Sequence, residues 1–210
     1  MKFKNFAWIS ILFGSLWGLS EVTLGYALHY LMIPLAGFIM FPIGYYFLRQ
    51  TYKLTNNIGS VFLAGLVTAS IKLTNFYFPF ILPIRIINPS IAIILETAVV
   101  LALFSYGRKR EVGFAGILGM CLLWRVSFIA VQALEYATGF GPNLSNYTLS
   151  YSFQFFVLES LINAGIIYFV LHRQKFPSFG FLKAGTPDYG LKIASIVLYA
   201  ATVYIQFALI

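Results

Sequence analysis

The chain has 210 residues, of which 60% are apolar and only 10% charged, with a formal net charge of +8. A soluble domain of this length carries about 25% charged residues to cover its surface, so a water-facing globular domain is excluded and a lipid bilayer is the expected solvent. Nor does the basic excess make a nucleic-acid site, because the lysines and arginines sit in short clusters between apolar runs, with no groove-sized patch.

A helix needs about 20 apolar residues to span the hydrocarbon. Seven segments of that order follow one another, at 5–28, 30–49, 58–80, 87–106, 112–137, 150–172 and 189–209. The short alternating strands of a membrane barrel are missing, which predicts an all-α polytopic bundle of about seven transmembrane helices. It reads as one transmembrane domain: a six-helix core over 1–172, a basic cytoplasmic loop at 173–188 and an additional helix over 189–210. Lys2 and Lys4 precede the first apolar run, but no small-residue cleavage site follows, so segment 1 is expected to remain as a helix.

Loop charge then predicts orientation. The N-terminus, the 2–3 loop, the 4–5 loop and the 6–7 loop hold Lys2, Lys4, Arg49, Lys53, Arg108, Lys109, Arg110, Arg173, Lys175, Lys183 and Lys192. The opposite loops hold Arg85 as their one lysine or arginine, together with His29. This asymmetry predicts the N-terminus inside and the C-terminus outside. The outward 3–4 loop, Phe78 to Arg85, is apolar and proline-punctuated; the 5–6 loop, Thr138 to Ser150, is rich in Gly, Asn, Ser and Tyr and suits a cap over a cavity.

Charge inside a span costs on the order of 2.5–3.5 kcal/mol per residue on insertion scales, so each instance needs a reason. Glu21, Lys72, Glu96, Arg125 and Glu159 fall within segments, and Glu135 falls near an outer end. With the N-terminus inside, all lie at the midplane or in the outer half. Thr68, Lys72 and Asn75 share one face of segment 3, and Asn88, Ala92 and Glu96 one face of segment 4. Arg125, Gln132 and Glu135 share a stripe of segment 5, and Ser152, Glu159 and Asn163 a stripe of segment 6. Helical spacing of this kind on four segments predicts a common polar interior. Two explanations stay open: a cavity for a polar solute, or charge pairs that glue the bundle, with Arg125 facing Glu96 or Glu159.

Segment 1 places Ser10, Gly14 and Gly18 four residues apart, a face on which another helix can approach closely, either within the bundle or from a partner. No G-x-x-x-x-G-K-[ST], H-E-x-x-H or G-x-S-x-G motif is present, so neither a P-loop nor a hydrolase is expected, and no cofactor is implied. His29 and His172 fall on opposite sides and cannot share a metal site.

The segment count, the small-residue face on segment 1 and the polar outward loops together resemble the S component of an energy-coupling factor (ECF) transporter. The resemblance covers about residues 5–172; segment 7 is an addition, and the family's helix-1 alanine motif stands here as a Ser/Gly variant. It implies a multi-pass subunit of a prokaryotic cytoplasmic membrane that captures a small solute, vitamin-like or metal, from outside. It further implies docking through Ser10, Gly14 and Gly18 to a membrane coupling subunit with separate ATPases. The residues expected to form the solute site are Glu21, His29, Lys72, Arg85, Asn88, Glu96, Arg125, Glu135 and Glu159. Two other readings are a stand-alone proton-coupled transporter, and a non-catalytic accessory subunit of a larger membrane complex.

Overall fold

The computed structural model describes residues 3–30, 36–107, 112–139, 148–172 and 188–209, and every regular element among them is helical. Helix α1 (Phe3–Ser20) passes through a π-helical turn (Glu21–Gly25) into α2 (Tyr26–Tyr30). Helix α3 (Ala36–Thr55) is followed by α4 (Ile58–Leu73), which tightens into a 3-10 turn (Thr74–Tyr77). Next come α5 (Ile84–Gly107) and α6 (Phe114–Ala137). Helix α7 (Leu149–Phe153) then runs through a second π-helical turn (Gln154–Leu158) into α8 (Glu159–His172), and α9 is Asp188–Ala208.

The tight α3–α4 corner has a local cause. Asn56 takes the left-handed backbone conformation (φ +48°), which asparagine tolerates better than most residues. Asn57 then caps α4, its side-chain oxygen accepting from the Ser60 amide at 3.3 Å.

Six helices are long and apolar enough to cross a membrane: Asn5–Leu28, Ile58–Tyr77, Ile84–Gly107, Phe114–Ala137, Leu149–Phe169 and Tyr189–Ala208. The segment expected at 30–49 is not among them. The described helix there, Ala36–Thr55, runs past the expected end and takes in Gln50, Thr51 and Lys53. Of its side chains between residues 39 and 55, Lys53 alone is exposed, because α1, α4, α5 and α8 enclose the helix.

Residue pairings give the helix directions. Gly14 lies against Ala64 and Gly18 against Ile71, so α1 and α4 run parallel. Trp17 lies on Gly44, while Phe13 pairs with Phe47 at 6.4 Å between ring centroids, so α1 and α3 run antiparallel. Phe114 faces Tyr168 and Arg125 faces Glu159, which makes α6 and α8 antiparallel. The parallel α1 and α4 require the intervening chain to return along the bundle, and α3 is that return.

Helix α9 packs on α1 through a polar stripe. The Ser195 hydroxyl donates to the Trp8 carbonyl at 2.9 Å and the Thr202 hydroxyl to the Ser15 carbonyl at 3.5 Å, so these two helices are also parallel. Farther along, the Gln206 amide donates to the Ile71 carbonyl at 2.7 Å and to the side chains of Thr74 and Asn75 at the end of α4. Gln206 is buried, so Gln206→Leu is expected to lower stability by about 1–3 kcal/mol by stranding these groups in an apolar setting. Thermal unfolding in detergent measures this.

The Ser10, Gly14 and Gly18 stripe, expected to meet a partner subunit, is occupied within the chain. Ser10 is fully buried and donates to the Phe6 carbonyl at 2.8 Å. A methyl group on Gly14 would stand 2.5 Å from the Ala64 carbonyl oxygen, and one on Gly18 would stand 2.4 Å from Ile71. The close approach that small residues permit is to α4.

Candidate functional site

Five helices bring a string of charged side chains across the bundle interior. At one end, the Lys72 ammonium of α4 donates to the Glu21 backbone carbonyl at 3.2 Å. Glu21 opens the first π-helical turn, and its carboxylate accepts from the Trp17 indole at 3.3 Å. Trp17 is fully buried, and the absence of a side chain on Gly44 lets its ring lie there. Glu96 of α5 comes next, within electrostatic range of both Glu21 and Arg125.

The other end is an ion pair. Arg125 of α6 meets Glu159 of α8 at 3.3 Å, with the arginine side chain wholly buried. Its guanidinium also donates to the Cys121 carbonyl at 3.0 Å. The ring centroids of Trp124 and Phe155 lie 4.7 and 5.4 Å from its central carbon, a cation–π arrangement on two sides. Glu159 directly follows the second π-helical turn. Both π-helical turns in the described chain therefore border a glutamate of this string. Such turns are rare and recur at functional sites, because one extra residue re-aims the side chains beside it.

Glu96 differs from its neighbours. It is 6% exposed, yet no described residue donates a hydrogen bond to its carboxyl. Arg125, within electrostatic range, donates to Glu159 and to the Cys121 carbonyl. The Tyr45 hydroxyl and the Trp124 indole nitrogen are sealed in the same interior without an acceptor.

The structure thus joins five of the nine residues expected at a site: Glu21, Lys72, Glu96, Arg125 and Glu159. The others stand apart from the string. Arg85 is exposed in the first turn of α5. Asn88 is half-buried eight positions before Glu96, about 12 Å along the axis. Glu135 is half-buried ten positions beyond Arg125, about 15 Å along α6. The side chain of His29 lies outside the described residues, as does most of the 5–6 loop expected to cap a cavity. The aromatic walls, Trp17, Trp124 and Phe155, are additions that charge spacing could not reveal. Among the described residues no group of His, Cys, Asp and Glu is arranged to hold a metal ion.

Six helices of membrane-crossing length around a charged interior define a multi-pass helical membrane protein. Comparison with known protein families, with curated proteins and with solved structures returns no match.

Proposed function

We propose that this chain is the solute-binding membrane subunit of an uptake system, taking a small polar solute from outside into the interior bordered by Glu21, Glu96, Arg125 and Glu159. In this reading α3 is the seventh span, the N-terminus is cytoplasmic and the C-terminus is outside. The parallel directions of α1, α4 and α9 and the basic clusters between helices support that arrangement. Separate coupling and ATPase subunits would drive release, as the ECF resemblance implies. They would have to engage a surface other than the Ser10, Gly14 and Gly18 stripe, which α4 covers.

The observation that carries the reading is Glu96: a carboxyl buried in the bundle interior, to which no described residue donates a hydrogen bond. A buried polar group without a hydrogen-bond partner is unfavourable, and intramembrane carboxyls mark candidate solute or proton sites. A solute with polar groups supplies what the protein leaves out. The test is native mass spectrometry of the purified chain. A small molecule is expected to co-purify with the wild type and to be lost from Glu96→Gln, with folding retained. Equal retention by the variant would refute the assignment of the site.

Enclosure of α1 by its own chain favours a second reading, a stand-alone proton-coupled transporter that needs no docking face. Proteoliposomes holding the chain alone separate the two. Gradient-dependent uptake supports the transporter; binding without uptake supports the subunit.

A further inference from the structure

We propose, independently of the solute reading, that the corner between α4 and α5 is a lipid anchor: Phe76, Tyr77, Phe80 and Leu82 enter the head-group boundary of the bilayer at that end of the bundle. No charged residue lies between Lys72 and Arg85, and the run Phe78-Pro79-Phe80-Ile81-Leu82-Pro83 is wholly apolar. A turn that faces water draws instead on Gly, Asn, Asp and Ser beside its prolines.

The fold turns this run outward. Tyr77 is 81% exposed, Phe80 71%, Leu82 60% and Phe76 51%. The corner is nevertheless held in shape by its own chain. The Phe78 amide donates to the Asn75 carbonyl at 3.0 Å, the Ile81 amide to the Phe78 carbonyl at 3.2 Å, and the Arg85 amide to the Leu82 carbonyl at 2.9 Å. Phe78 packs edge-on against Phe207 of α9, with 5.0 Å between ring centroids, which ties the corner to the bundle. A fixed apolar surface therefore stands clear of the helices.

Its position identifies what covers it. The corner joins two helices of membrane-crossing length, Ile58–Tyr77 and Ile84–Gly107, so it lies where hydrocarbon gives way to head groups. The exposed Phe62, Leu66 and Leu73 share one face of α4, and Phe76 continues that face into the corner. The surface is thus an extension of one that faces lipid. Aromatic rings with a polar tip concentrate at head-group level, and arginine reaches the phosphates while its stem stays among apolar groups. Tyr77 and the exposed Arg85 suit those two roles.

The test uses the full chain in phosphatidylcholine proteoliposomes. Cys121, the one cysteine of the sequence, is buried, so Tyr77→Cys, Phe80→Cys and Leu82→Cys each present one accessible thiol for a bimane label. Two quenchers are compared: phosphatidylcholine brominated near the head-group end of its acyl chains, and aqueous iodide. The brominated lipid is expected to remove about half of the emission or more, and iodide much less, as residence at the membrane interface predicts. Leu82 takes no part in the ring pairings of the corner, so Leu82→Cys carries the test if Tyr77→Cys or Phe80→Cys misfolds. Stronger quenching by iodide puts the corner in water and overturns the proposal. Quenching by neither means that protein, a second copy included, covers the corner, and overturns it equally.

Discussion

Arg125→Met is expected to lower stability by about 3–5 kcal/mol, because it leaves Glu159 buried without its cation. The double change Arg125→Met with Glu159→Leu is expected to recover most of that loss, since two apolar side chains of similar volume avoid the desolvation cost of both charges. A double-mutant cycle of thermal unfolding in detergent gives the coupling directly. The result also bears on function. If the double variant folds yet no longer retains a co-purified solute, the pair shapes the site as well as the bundle. If it folds and retains the solute, the pair is structural and Glu96 with Glu21 carries recognition.

The second large effect is expected at Gly14. A valine there places its first side-chain carbon 2.5 Å from the Ala64 carbonyl oxygen and 2.8 Å from Val67, and the backbone oxygen cannot rotate away. Separating α1 from α4 also breaks the hydrogen bond from the Thr68 hydroxyl to the Gly14 carbonyl, 2.8 Å long and buried. Overpacking of this kind costs about 1–3 kcal/mol and more where backbone must move. Gly14→Val is therefore expected to reduce the stability of the isolated chain by at least about that amount. Were the stripe an assembly surface for another subunit, the isolated chain would keep its stability and lose only the partner.

The multi-helix character was legible because hydrocarbon length and apolar composition are tied by simple geometry: both ends of α5, α6 and α9 and the start of α4 fall close to those the segments predict, while α4 ends at Leu73, short of the expected residue 80. The enclosure of α3 by four other helices was not legible, because hydropathy marks an apolar run without saying whether lipid or protein covers it. The candidate site was legible as faces but not as partners. Spacing places Arg125, Glu96 and Glu159 toward a common interior, yet cannot say which carboxylate the arginine chooses; Trp124 and Phe155 hold the guanidinium beside α8. The two π-helical turns have no local sequence signal, since an extra residue in a turn is a choice made by packing. The stripe of Ser195, Thr202 and Gln206 had a signal in its spacing of seven and four. Its members are small or neutral, and a search weighted toward charge passed over them.

The pairing of α9 with α1 has a bearing on biogenesis. Trp8 and Ser15 meet partners 187 residues away, so the side of α1 turned toward α9 waits until α9 has been translated before it is covered. Loop closure over that distance is slow compared with local helix pairing. The earlier helices therefore enter the membrane as a bundle with one unfinished seam, which α9 closes. During synthesis, that seam is where membrane chaperones and quality-control proteases would find this protein incomplete.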